Sequence, residues 1–239
     1  RPWPGSRSSA DLTVTAWVLR VLHHAKSRGV EIPKAVFTEG AATLHKRLAR
    51  RKSRRRKPPS HSDRPSQAEE VERAAVLATL SHLGVPSTGY IAELWGRRAA
   101  LSFVARLHLA DALAHSGTAG DAGRAATLVT EALASLRAEG SYAMLPESAA
   151  TGAGVWQAGA RASGMLLALV VRTHPKHPLA RRLMRGLLRE QRSGHWGTTQ
   201  ANAWALLGLG AYYRAAEATA PTFKYAVFAG DKRLGGGQM

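Results

Sequence analysis

Apolar residues recur at helical spacing along nearly the whole chain, broken only by short turn signals, and this limits what the chain can fold into. Val14, Trp17, Val18, Val21, Leu22 and Ala25 follow the i, i+3, i+4, i+7, i+8, i+11 pattern of one helix face. Ser9 or Asp11 suits the N-cap of that helix, and Gly29 its stop. A second helix is predicted after Ile32-Pro33, where proline fits the first turn, running through Val36, Leu44 and Leu48. A third spans about Gln67 to Leu83, with Glu69, Glu70 and Glu72 at its positive N-terminal end and Gly84 and Pro86 beyond it. A short helix near Tyr90 to Trp95 and a longer one from about Ala99 to His115 come next. Ala125, Leu128, Val129, Ala132, Leu133 and Leu136 then repeat the one-face pattern, with Gly140 as the expected end of that segment.

Two later segments differ in kind. Met165 to Val171 and Ala203 to Tyr212 are apolar nearly all round, the signature of helices enclosed by others. Leu179, Leu183, Leu187 and Leu188 instead form a single stripe beside Arg181, Arg182, Arg185 and Arg189. Enclosed and one-face helices joined by short loops suit an inner ring wrapped by an outer one, an all-α fold of the α/α-toroid type. An α-solenoid competes with it, since no repeat of fixed length separates the two. Aromatics make up only 6% of the residues, which favours packed helices over sheets. Ser141 to Gly159 breaks the rhythm with Tyr142, Pro146 and Trp156 and reads as an irregular insertion or short hairpin. After Pro221, Thr222 to Phe228 alternates with period two, and Gly230-Asp231 turns toward another strand at Leu234-Gly235, expected to be cut off or disordered. The expected organisation is a helical domain over 1–219 and the first strands of a β domain over 220–239.

Composition removes several kinds of chemistry. The chain has no cysteine, so disulfides, thiolate zinc sites and thiol nucleophiles are excluded. No apolar run reaches the ~18 to 20 residues of a membrane-spanning helix; Met165 to Val171 stops at Arg172. Arg1 opens the sequence without a methionine or an apolar leader, so the chain is expected to start inside a longer protein. Much of the net charge of +18 is local: Lys46 to Lys57 holds nine basic residues in twelve. Arg51, Lys52, Arg54, Arg55, Arg56 and Lys57 are the candidate polyanion-binding residues, by counterion release. The competing and favoured reading is a disordered, solvated loop at about 50–66, since like charges repel and prolines follow. No aromatics interleave to stack on bases, so no specific nucleic acid is expected.

Other constellations are incomplete. His174 and His177 have ligand-like spacing, but Pro175 and Pro178 make that stretch a turn and no carboxylate is near in sequence. His23 and His24 are adjacent on a helix and point about 100° apart. His108 and His115 lie two turns apart and read as solvated or core-edge residues. The sixteen acids are scattered, with neither Asp-x-Asp-Asp nor Asp-Asp-x-x-Asp, so no catalytic residues, metal site or cofactor are assigned. An α/α-toroid enzyme acting on polysaccharides or isoprenoids, and a basic helical scaffold for polyanions, remain the alternatives.

The run Gly194-His195-Trp196-Gly197-Thr198-Thr199-Gln200-Ala201-Asn202-Ala203-Trp204, followed by a strand with Thr222-Phe223-Lys224-Tyr225-Ala226-Val227, resembles the end of the thioester-containing toroid of bacterial alpha-2-macroglobulins. Trp3-Pro4-Gly5-Ser6, Leu12 to Leu19 and Gly29-Val30-Glu31-Ile32-Pro33 resemble an earlier helix and turn of the same domain, and His177-Pro178-Leu179 is also similar. The resemblance implies a structural, non-enzymatic part of a broad-spectrum endopeptidase inhibitor of the periplasm or cell envelope. Its partners would be target proteases, met through the full-length parent, and neighbouring β-sandwich domains. In that family a Cys-x-Glu-Gln segment forms an internal thioester, which this cysteine-free chain cannot form itself. Within the loop, Thr198 or Thr199 can cap the next helix, Trp196 can pack beneath it and glycines can permit the turn. Trp196, Thr199, Gln200, Asn202 and Trp204 are the candidate residues of this structural loop, with Gln200 and Asn202 as domain-interface contacts.

Overall fold

A computed structural model describes residues 11–54, 66–146, 159–217 and 222–238. Among them local sequence sets most boundaries. Helix α1 (Leu12–Lys26) starts where the Asp11 carboxylate accepts from Val14 N at 2.9 Å, and Gly29 leaves it at φ +89. Helix α2 (Lys34–Arg54) follows Pro33 and continues four residues beyond the expected start of the basic loop. Helix α3 (Gln67–His82) opens with a reciprocal cap: Glu69 N donates to Ser66 Oγ at 3.2 Å, and Ser66 N to Glu69 Oε2 at 3.0 Å. Helix α4 (Thr88–Gly96) leads through a short 3₁₀ turn, Arg98–Ala100, to α5 (Phe103–Ala114), capped by Ser102. After α6 (Asp121–Leu133), strands β1 (Arg137–Glu139) and β2 (Tyr142–Met144) make a hairpin. Helices α7 (Gly159–Thr173), α8 (Pro178–Arg189) and α9 (Thr199–Tyr212) follow, and a π-helical turn, Tyr213–Glu217, prolongs α9.

The odd-numbered helices pack on one another in sequence order: α1 on α3, α3 on α5, α5 on α7, and α7 on α9. Helix α9 comes back to α1, where Trp204 meets Trp17 edge to face at 5.2 Å between centroids. The even-numbered helices lie against neighbouring odd ones: α2 on α1 and α3, α4 on α3 and α5, α6 on α5 and α7, α8 on α7 and α9. Burial follows this division. Ala74 to Ser81 of α3 are all buried, as are most residues of α5 and α7, whereas α6 and α8 bury one stripe each. Leu77, Leu80, Leu107, Leu166 and Leu167 are fully enclosed, each worth about 2 kcal/mol in apolar surface removed from water. Two glycines bring α7 and α9 into backbone contact. A Cβ on Gly164 would collide with the Trp204 carbonyl, and one on Gly208 with the Gly164 carbonyl.

Several expectations are corrected. In α1 the buried positions are Leu12, Ala16, Leu19 and Arg20, while Val14, Val18 and Val21 of the expected core face are exposed. That helix carries apolar residues on both sides, so periodicity alone could not choose which side would meet α3. Helix α9 is buried along only one face, with Leu206 62% exposed, because α7 covers one side. Gly140 does not end α6, which stops at Leu133; it turns the β1–β2 hairpin at φ +54. That hairpin accounts for the start of the irregular stretch, and 147–158 lie outside the described residues. At the end, β3 (Lys224–Ala229) pairs antiparallel with β4 (Lys232–Gln238) around Gly230, with an irregularity between Val227 and Phe228. Every described residue from Thr222 onward is exposed.

Candidate functional site

The odd-numbered helices enclose a cavity of about 430 Å³ near their C-terminal ends. Arg20 and His24 reach it from α1, His82 from α3, Asp111 and His115 from α5, Met165 to Arg172 from α7, and Trp204 to Ala211 from α9. Basic side chains are favoured there, since helix C-termini carry partial negative charge. Arg172, for example, donates Nη2 to the Ala114 carbonyl at the end of α5 at 3.0 Å.

On one wall, four side chains form a buried polar cluster. Arg20 Nη2 is 2.7 Å from Asp111 Oδ2, and both side chains are 8% exposed. His82 Nε2 lies 3.0 Å from Asp111 Oδ1 and 3.0 Å from Arg20 Nη2. His115 stacks on His82 at 3.6 Å, and its Nδ1 is 2.9 Å from the Asp111 carbonyl and 3.2 Å from Oδ1. Burial works to raise the Asp111 carboxyl, but Arg20, His82 and His115 outweigh it and hold the group well below the usual range. Burial acts the other way on His82 and, despite Asp111, pushes it down to about 4. At neutral pH the cluster is therefore an arginine–carboxylate pair flanked by a neutral His82, whose Nε2 lies 3.0 Å from both partners. His24 and His23 are also lowered, first by burial and then by Arg20.

The ligand atoms of His82, Asp111 and His115 lie within 4.8 Å of one another, close enough to surround a metal ion. Arg20 argues against that use: its guanidinium touches both Nε2 of His82 and Oδ2 of Asp111, placing a fixed cation where the ion would sit. Among the residues lining the cavity there is one carboxylate and no hydroxyl or lysine, so paired-carboxylate and activated-nucleophile chemistry lack their groups there. The cluster joins α1, α3 and α5.

Solved structures share this fold. Salmonella alpha-2-macroglobulin reacted with methylamine matches 97% of this chain with a TM-score of 0.62 at 18% identity. The native conformation of the E. coli protein matches 97% at 0.59 and 18% identity, and the trypsin-activated E. coli protein 98% at 0.60 and 16%. The fold is that of one region of bacterial alpha-2-macroglobulins. This chain spans only 14% of the length of the Salmonella protein, and 13% and 15% of the two E. coli ones. No family profile matches the sequence, and no curated protein is significantly similar to it.

The loop before α9 is tied inward. Trp196 is buried and donates Nε1–H to the Leu187 carbonyl at 2.7 Å, joining the loop to α8. Asn202 uses both ends of its amide: Oδ1 accepts from Trp196 N at 3.1 Å, and Nδ2 donates to the Thr198 carbonyl at 2.7 Å. Thr198 rather than Thr199 caps the helix, accepting from Ala201 N at 3.1 Å. Thr199 is exposed and Gln200 half-buried, and Trp204 lies beneath Arg20 at 4.8 Å. Of the polyanion candidates, Arg51, Lys52 and Arg54 fall on the last turn of α2, while Arg55, Arg56 and Lys57 lie outside the described residues.

The histidines are placed differently from expectation. His108, read as solvated or core-edge, is 1% exposed, and burial followed by Arg161 holds it well below its ordinary value. His115 belongs to the buried cluster. His177 serves as the N-cap of α8, its Nδ1 accepting from Leu179 N at 3.2 Å. Sequence reasoning missed the Arg20–His82–Asp111–His115 cluster altogether. Two signals pointed to it: Arg20 follows Leu12, Ala16 and Leu19 on one helix face, and Asp111 is a lone acid in the apolar run Leu109-Ala110-Asp111-Ala112-Leu113.

Proposed function

We propose that this chain is the helical domain of a bacterial alpha-2-macroglobulin-like protease trap, in which it acts as scaffold and interface rather than as an enzyme. The observation that carries this reading is that the likeness extends over 97% of the chain. On this reading the odd-numbered helices are the inner ring of an α/α toroid and the even-numbered ones the outer ring. The β3–β4 hairpin begins a neighbouring β domain, and of the two expected interface contacts Gln200 meets that domain while Asn202 is committed to its own loop. With no cysteine the chain holds no thioester, so any covalent capture depends on another part of the parent, in the periplasm or cell envelope.

The test is to express the full gene product that contains this chain and incubate it with trypsin. A trap leaves trypsin active on a small chromogenic peptide while sharply lowering its cleavage of a large protein substrate. Unchanged cleavage of both substrates would refute the proposal.

A further inference from the structure

Helix α8 presents a second feature unrelated to the cavity. Its buried stripe is Ala180, Leu183, Gly186 and Leu187, packed on α7 and against β2, where Gly186 lies against the Ala143 carbonyl. At ~100° per residue, Arg181, Arg182, Arg185, Leu188 and Arg189 fall within roughly a third of the circumference on the opposite side, and all five are exposed. Arg181, Arg182 and Arg185 make no ion pair among the described residues. Arg189 lies flat over the Tyr142 ring at 4.2 Å. The nearby carboxylates leave the face positive: Glu139 accepts from Tyr142 OH at 2.7 Å, and Glu190 is turned inward to Ser163 at 3.4 Å.

From this geometry we infer that the outer face of α8 docks on an anionic phospholipid surface, with the four arginines on lipid phosphates and Leu188 at the headgroup–acyl boundary. Guanidinium groups bind phosphate oxygens bidentately, and their apolar stems can lie along the surface while the heads stay hydrated. Leu188, 46% exposed among the arginines, distinguishes lipid from nucleic acid: an aliphatic side chain gains by entering the interface and cannot stack on bases. The Tyr142 ring beside the face is already covered by Arg189. Electrostatic attraction of this kind strengthens partitioning roughly fivefold per arginine and weakens with salt. The inference does not depend on the protease-trap reading.

The test is vesicle flotation of the whole chain with phosphatidylcholine vesicles, with and without phosphatidylglycerol. R181Q/R182Q/R185Q/R189Q is compared with R50Q/R51Q/R54Q/R55Q, which removes the same charge from the basic stretch. Circular dichroism verifies that both remain folded, as expected for the α8 variant from its exposed positions. The expected result is salt-sensitive binding to anionic vesicles only, lost by roughly several hundredfold in the α8 variant at about fivefold per arginine and changed little in the other, with L188Q also weakened. Equal losses in the two quadruple variants would mean that binding follows net charge, and would overturn the inference. So would absence of wild-type binding, or an α8 variant that loses duplex-DNA binding but keeps vesicle binding.

Discussion

Replacing Arg20 with Met tests the idea that the buried cluster holds α1 to the rest of the ring. The guanidinium sits 2.7 Å from the Asp111 carboxylate with both side chains 8% exposed, so solvent cannot take over when it is removed. Breaking a buried pair by deleting one partner costs about 3–5 kcal/mol, chiefly for the charge left behind. His82 and His115 at 3.0 and 3.2 Å from the carboxylate soften that cost, because losing Arg20 makes it easier to protonate His82. The expected loss for Arg20→Met at pH 8 is therefore about 3 kcal/mol, the lower end of that range. The double variant Arg20→Met with Asp111→Leu removes both charges and should recover to within about 1 kcal/mol of wild type. Urea unfolding followed by circular dichroism and by tryptophan fluorescence gives both values, with coincident transitions checking two-state behaviour. A single-variant cost below about 1 kcal/mol, or a double variant no better than the single ones, would show that the pair is solvated and the reasoning wrong.

Acid should weaken the same cluster. His82 is depressed from 6.5 to about 4, so between those values the unfolded chain binds a proton that the folded one does not. Its contribution is fully present above pH 6.5 and falls by roughly 3 kcal/mol as the pH drops to about 4; His23, His24 and Asp111, also depressed, act in the same direction. A thermal midpoint that stayed level or rose from pH 7 to 4.5 would contradict this. Gly164→Ala forces a methyl group into the Trp204 carbonyl and should cost about 2–3 kcal/mol in urea unfolding; a neutral effect would mean that α7 and α9 are farther apart than described. Asn202→Ala removes both bonds that close the loop before α9, an expected loss of about 1–3 kcal/mol, with faster amide exchange at Trp196 as a local readout.

The helices were largely legible because what starts and stops them is local. Asp11, Ser66, Thr198 and the glycine at 29 act within a few residues of the backbone groups they satisfy. The terminal hairpin was legible for the same reason, since alternation and a Gly-Asp turn are short-range signals. Local signals also misled: Gly140 was a turn residue, but of a hairpin rather than of a helix end. Which side of α1 is buried was not decided locally, because Val14 and Val18 are as apolar as Leu12 and Leu19.

The sequence by itself thus determined the helical class, the order of elements and the absence of thiol chemistry, all of which follow from periodicity, capping and composition. Only the tertiary structure decided the buried faces and the candidate site. Arg20 and His82 are 62 residues apart, and His82 and Asp111 are 29 apart. No pattern along the chain relates such positions; they meet because α1, α3 and α5 pack side by side and turn those residues toward one cavity.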